Sequence, residues 1–522
     1  MKLLKIISCV LAFVMILALA VSCGGNDSGS TASTPGSGGN TSRPDSGSAV
    51  ETQSDAEPGE SAEPVEESRE VSTEPAGPLD HIEDYALSGE KIVFLVENGN
   101  LGYPSIEIIP NEELGPEIAG AVRIRNDMLI EKLGCELDEI RTDNMAADLR
   151  NAALTEPEFD IATPYMTTAA PLIIEDLFWD LYEFSDIINF DAPYWDQNAD
   201  TDLSMGGKLY MTTGDFSLLT MDVTHCMIFN KNVLSAHAEL ESPYDLVESG
   251  DWTIDKMLEM ARVVTADTDG EDGITYKDTI GLFINYNYSN SLYIASGEKF
   301  VEKDANGVPR LAFDGDRQVE VASKIFDLFH DPAVIYDEGF NPQAIADGFK
   351  NCYWAARHQL ATDNALFVTI SLSDVLNLAD YDANFGFLIT PKYTKEQDRY
   401  YSYISVIKAT ACVIPVGNTH PEKAALLLEA MNAASTETVK RTYYEIVFKL
   451  QKARDQEDSD MLDKIFASRV YDIGSIYNWG GARDFISNVC TGASFDYTSQ
   501  LDSKRGSMET AMQDTVDYFN GN

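Results

Sequence analysis

The chain has 522 residues, and its 86 acidic residues against 37 Lys and Arg give a formal net charge of −49 at pH 7. Such a charge repels phosphate backbones and anionic lipid surfaces, which excludes nucleic acid and acidic membranes as partners of the folded body. The five cysteines after Cys23 (Cys135, Cys226, Cys352, Cys412 and Cys490) are far apart and form no C-x-x-C pair, so neither a zinc site nor a disulfide framework is indicated.

The chain opens with a short basic head, Met1 to Lys5, and an almost wholly apolar run from Ile6 to Val21. That run is shorter than the roughly 20 residues that comfortably span a bilayer, so residues 1–22 read as a cleaved signal peptide. Ala20-Val21-Ser22-Cys23 resembles the lipobox of bacterial lipoproteins, with Ala20 where leucine is usual. The resemblance implies that Cys23 is lipidated and becomes the new N-terminus. From Cys23 to about residue 85 the chain is rich in Ser, Gly, Pro, Thr and Glu. It cannot bury enough apolar surface to offset chain entropy, and we expect a disordered acidic tether. About 60 such residues have an r.m.s. reach of roughly 40–45 Å.

Residues 86–522 exceed the roughly 250–300 at which one hydrophobic core usually splits, so two lobes are expected. Lys91 to Val96 is a short apolar run, predicted as a strand, and Glu97-Asn98-Gly99-Asn100 is a turn. Residues 117–133 carry apolar side chains at helical spacing, and Gly134 is the stop. A strand is predicted from Glu136 to Ile140, a helix from Ala146 and a strand from Phe159 to Thr163. Strand–helix alternation of this kind predicts a parallel sheet covered by helices, with ligands beyond the strand carboxyl ends. Further strands are expected at Gly207–Met211, Met227–Phe229 and Phe385–Ile389. Thr253 is placed to cap a helix whose buried side is Met257, Leu258, Ala261 and Val264. Helices are also expected over 422–434 and from Glu437 through Arg454.

Taken in order, several segments resemble the extracellular solute-binding proteins of bacterial ABC transporters, the maltodextrin-binding type. They are GGKLY (206–210), MIFNKNVL (227–234), SPYDLVESGDWTIDKMLEMARVVT (242–265), FGFLITP (385–391), VIP (413–415) and PEKAALLLEAM (421–431). The family implies an α/β, two-lobed periplasmic-binding-protein-like fold of type II, each lobe a mainly parallel sheet flanked by helices, the two joined by a hinge. Lobe one would take about 86–215 and 402–440, and lobe two 216–401 and 441–522, with crossings near Gly214-Asp215 and Tyr401-Ser402. Closure over a solute in the interlobe cleft would be hinge bending. The implied protein is a non-catalytic monomer, lipid-anchored on the outer face of the cell membrane. It would carry a carbohydrate or other small solute to an ABC-transporter permease.

For a sugar, the chemistry wants aromatic faces and hydroxyl partners. Tyr165 follows the third strand, where the family holds a ligand contact. Tyr194 and Trp195 precede the first crossing, Trp479 lies near the end, and Thr369 and Ser371 follow the apolar Leu366-Phe-Val368. The family's cleft tryptophan is replaced by Leu372, which argues against a maltose-like ligand. The stretch 267–278 resembles an EF-hand-like calcium loop, with Asp267, Asp269, Asp272 and Asp278 as candidate ligands. Position six is Asp272 rather than glycine, and position twelve is Asp278 rather than the bidentate glutamate. No H-E-x-x-H, G-x-S-x-G, Walker or G-x-G-x-x-G motif occurs. Two distant carboxylates would still suffice for a surface glycosidase, and a sensor or adhesin could use the same fold.

Overall fold

A computed structural model describes residues 77–99, 107–112, 115–378, 381, 383–449 and 456–521. Cys23, the signal peptide and most of the expected tether lie outside the described residues. The last part of that tether does not. Residues 77–85 fold onto lobe one, where Leu79 and Ile82 are buried in its core. The apolar side chains spaced among the polar ones in this stretch are what draw it in.

Lobe one is built on β1 (Lys91–Glu97), β2 (Glu136–Thr142) and β3 (Ile161–Thr163). They form a parallel sheet in the order β2-β1-β3, with Leu95 opposite Ile140 on one side and Ala162 on the other. Being central, β1 is buried along most of its length, which is why it reads as a continuous apolar run. The helix Pro116–Leu133 starts with proline in its first turn and stops at Gly134, whose φ of 73° is the left-handed conformation glycine tolerates.

Lobe two carries β4 (His225–Asn230), β5 (Ile280–Ile284), β8 (Val334–Tyr336), β9 (Ala365–Ser371) and β10 (Phe385–Leu388) in the order β10-β4-β9-β5-β8. A small hairpin of β6 (Val301–Lys303) and β7 (Pro309–Leu311) stands apart. β5 is parallel to β8 and β9, whereas β4 is antiparallel to both its neighbours. Thr253 caps the helix Ile254–Val264 by accepting the Lys256 N–H at 3.2 Å. That helix lies so close on β5 that a Cβ at Gly281 would sit 2.1 Å from the Ala261 carbonyl oxygen.

The lobes have separate cores, one around Phe94, Ile161, Trp195 and Met431, the other around Trp252, Phe283, Phe367 and Phe485. The chain passes between them at 223–226 and again at 403–404, where Thr224 and Ile404 form an antiparallel bridge. The first passage begins nine residues after the position read from sequence, and the second two residues after it. A third runs from Ala434 to Val439 through a π-turn, Thr436–Lys440. Asp215 pins that turn, accepting from Thr436 Oγ1 and Lys440 Nζ, both at 2.8 Å. A short parallel pair, β11 (Ser402–Tyr403) with β12 (Arg469–Val470), closes the junction. The strand expected at Gly207–Met211 is instead a tight turn, with Gly206 and Gly207 at φ 56° and 76°.

Candidate functional site

In lobe two the carboxyl ends of β5, β8 and β9 point the same way, and the amino end of the antiparallel β4 joins them. A cavity of about 490 Å³ opens there. Asn285, Asn287 and Tyr288 line it after β5, Asp337 after β8, and Thr369, Ser371 and Asp374 at and beyond the end of β9. Lys350 and Asn351 come from just before the helix Cys352–Ala361, and Tyr353, Trp354 and Arg357 from its first two turns. Ser405 and Lys408 reach it from the return segment, whose neighbours Ile404, Val406 and Ala409 belong to the core of lobe one. The cavity therefore lies where the lobes meet.

Its polar walls are cross-braced. Thr369 Oγ1 accepts the Asn285 N–H at 2.9 Å, and Asn285 Oδ1 accepts the Asn287 N–H at 2.8 Å. His225 stacks on Tyr288 with ring centroids 5.8 Å apart, and its Nδ1 is 2.6 Å from Ser291 Oγ. Burial, with the positive Lys408 nearby, pushes the His225 pKa down to about 3, so the ring is neutral at physiological pH. Arg357 Nη1 donates to Asp374 Oδ1 at 2.8 Å, and Asp374 Oδ2 accepts the Ser371 N–H at 3.1 Å. The guanidinium also lies 5.3 Å from the centre of the Trp354 ring. Arg357 Nε and Asp337 Oδ1 are buried and have no hydrogen-bond partner among the described residues.

Of the sequence-derived candidates, Thr369 and Ser371 line this cavity and the four aromatics do not. Tyr165 is buried in lobe one at the head of the helix Met166–Ile173. Trp195 is buried and donates Nε1–H to Glu429 at 2.8 Å; Tyr194 donates its hydroxyl to the same carboxylate. Trp479 stacks on Tyr477 at 4.5 Å and donates to Thr515 at 3.0 Å. Each ring face or polar edge is thus taken up by protein. Asn285, Asn287, Asp337, Lys350, Trp354, Arg357 and Lys408 were missed. The first two had a legible signal, since Asn285-Tyr-Asn-Tyr288 directly follows the apolar run of β5. Arg357 and Trp354 had none, because they sit inside a helix that only the fold brings to the strand ends.

The matching strand ends of lobe one carry Glu97 and Thr163. Glu97 is buried, and its Oε2 has no partner among the described residues. Burial raises its pKa to about 7, against a lowering hydrogen bond from the Tyr165 backbone.

In the acidic loop, carboxylate oxygens of Asp267, Asp269 and Asp278 lie within 4.8 Å of one another, and Asp272 is not in that group. Asp278 is held by backbone donors: Oδ1 accepts the N–H groups of Thr268 (2.6 Å) and Asp269 (2.9 Å), and Oδ2 that of Thr275 (2.7 Å). Asp269 likewise accepts from Glu271 and Thr275. Asp278 and Asp269 thus already serve N–H and O–H donors of the loop itself, and no role is derived from an ion. The five described cysteines are buried free thiols. No helix among the described residues is long and apolar enough to cross a membrane.

No protein-family model and no curated protein sequence matches the chain. Solved structures do. The sugar-binding protein MalE from the phytopathogen Xanthomonas citri aligns with a TM-score of 0.54 at 10% identity, over 83% of this chain and 100% of that one. A cyclo/maltodextrin-binding protein complexed with maltotetraose aligns at 0.52 and 10% identity, over 82% and 97%. The maltose-binding periplasmic protein MalE from Listeria monocytogenes, in complex with maltose, aligns at 0.52 and 11%, over 81% and 98%. At this identity the likeness is one of fold: the chain has the two-lobed α/β architecture of type II periplasmic binding proteins.

Proposed function

We propose that this protein is a non-catalytic solute-binding lipoprotein that captures a carbohydrate in the cavity between its lobes and delivers it to an ABC-transporter permease. The observation that carries the reading is the cavity itself, polar and braced, at the carboxyl ends of lobe-two strands with Ser405 and Lys408 closing it from the return segment. Ligands of open α/β sheets sit at such strand ends. The fold shared with sugar-binding proteins supports carbohydrate as the solute class. In this reading Thr369 and Ser371 serve the sugar hydroxyls, and Trp354 offers an aromatic edge. Cys23 carries the lipid that holds the body at the outer face of the membrane, on a tether ending near residue 77.

A thermal-shift screen over mono- and oligosaccharides tests this. A true solute at 100 times its Kd adds about 2.7 kcal/mol to stability. A hit recovered chemically unchanged after prolonged incubation supports a binding protein, and released product identifies an enzyme instead.

A further inference from the structure

The lobes are tied together outside the cavity as well as by the chain passages. The hairpin of β6 and β7 belongs to lobe two, lying between Phe300 and Phe313 of its core. From β6, Lys303 reaches the end of the lobe-one helix Gln197–Leu203, whose Ala199 and Leu203 are buried in the other core. Its Nζ donates to the carbonyls of Thr201 at 2.6 Å, Ser204 at 2.8 Å and Asp202 at 3.2 Å. Carbonyls at a helix end have no partner within the helix, and an ammonium suits them by charge as well as by hydrogen bonding. Lys299 Nζ adds an ion pair to Asp202 at 3.0 Å, and the Gly206 N–H donates to the Gly307 carbonyl at 3.3 Å.

The long helix Tyr497–Phe519 makes the same crossing. Tyr497, Leu501 and Met508 are buried in the lobe-two core, and Tyr497 donates its hydroxyl to the Phe313 carbonyl at 2.9 Å. At about 1.5 Å per residue the 23 residues run roughly 35 Å. The last turn packs against the lobe-one core through Tyr518 and Phe519. Tyr518 donates to Asp176 Oδ1 at 2.8 Å, with the Tyr210 hydroxyl 3.0 Å away. Phe519 covers Gly206 so closely that a Cβ there would sit 3.1 Å from its Cδ1. Between the two ends, Met512 joins Met205, Val301, Ile473 and Trp479 in a third small core.

None of these residues lines the cavity, yet they are coupled to its shape. Tyr288 on the cavity wall begins the helix Tyr288–Ala295, and Lys299 follows four residues after that helix ends, so wall and hairpin are carried by the same lobe. A rotation that takes Asn285 and Tyr288 away from Lys408 therefore also drags Lys303 past Thr201 and Ser204, and strains one end of the long helix. We propose that Lys303 and the last turn of the helix Tyr497–Phe519 form an interlobe strap that holds the lobes at one angle, so that the cavity stands pre-formed and the lobes rotate only when the strap is released. The strap thereby restrains the hinge bending that the family resemblance implies. A cavity so held takes up its solute without first ordering the lobes.

The test needs no known solute. It is the distance between spin labels on the two lobes, read by pulsed electron resonance on the full chain carrying Cys9→Ala, Cys23→Ala, Leu154→Cys and Ile345→Cys. Leu154 is 83% exposed on lobe one and Ile345 is 53% exposed on lobe two, while the five described cysteines are buried, so the two new thiols take the label. With the strap intact the distance should form one narrow population. Lys303→Met together with Phe519→Ala should add a second population at a different distance. If that double variant fails to fold, Lys303→Met alone should shift a smaller share of the molecules. Glu302→Gln, which on the same hairpin removes only the pair with Arg310, should leave the distance unchanged. A broad distribution with the strap intact, an unchanged narrow one after it is cut, or the same shift from Glu302→Gln overturns the inference. Each of these leaves the solute-binding reading standing.

Discussion

Glu429 decides whether Tyr194 and Trp195 hold ligand or hold the lobe together. Its carboxylate is 1% exposed and accepts Trp195 Nε1–H at 2.8 Å, the Asn189 N–H at 3.2 Å and the Tyr194 hydroxyl, with His81 Nε2 at 3.4 Å. Through His81 it also ties residues 77–85 to the lobe. Replacing it by leucine strips partners from several donors at once, and the buried Trp195 N–H alone loses about 1–3 kcal/mol when unpaired. Relief of a buried charge offsets part of this, and we expect a net loss of about 3–5 kcal/mol. In a chain of this size that moves Tm by only a few degrees, so urea unfolding is the better assay. Glu429→Leu, Trp195→Phe and the double variant form a cycle, and the double should lose less than the single variants together by about 1–3 kcal/mol. Solute affinity should not change in any variant that folds. Additive losses, or a Trp195→Phe variant of normal stability that no longer binds, would refute the structural role.

Three further outcomes follow from individual groups. Because the Glu97 pKa is raised to about 7 from 4.5, the folded state binds the extra proton, so stability falls as pH rises through that window. Glu97→Gln should abolish this slope and stabilise the protein at pH 8 by roughly 2–3 kcal/mol in urea titrations; an unchanged slope counts against the burial argument. Burial alone would raise Asp278, but the N–H groups of Thr268, Thr275 and Asp269 hold it below 3.8, so its contribution is present above that pH and lost as pH falls through the lowered value. EDTA should leave the melt at pH 7 unchanged and Asp278→Ala should lower it, whereas a chelator-sensitive melt would mean that the loop holds an ion. Cys23→Ala should release the protein from membranes, since two acyl chains anchor stably and none does. Labelled palmitate in that variant, pelleting with membranes, would disprove the lipobox reading.

The first lobe was legible because its signals are local. β1 is a buried central strand and reads as an unbroken apolar run, and Gly134 marks a helix end by backbone geometry, as Thr253 does in lobe two by capping chemistry. The turn at Gly206–Gly207 misled because Leu209 to Met211 are buried without being paired in a sheet. The site was harder to read. Thr369 and Ser371 were found because they follow an apolar strand, but a buried aromatic such as Trp195 or Trp479 looks the same in sequence whether its partner is a sugar or Glu429 and Thr515. Lys408 and Arg357 are 51 positions apart and meet only through the return of the chain.

The account stands on a solute bound between the lobes at the lobe-two strand ends, and hydrogen exchange with and without the saccharide found in the screen tests that most directly. We predict that saturating solute slows exchange together in residues 285–288, 351–357, 369–371 and 405–408, the last belonging to the opposite lobe. Protection confined to other surfaces, or to lobe two without 405–408, would contradict it.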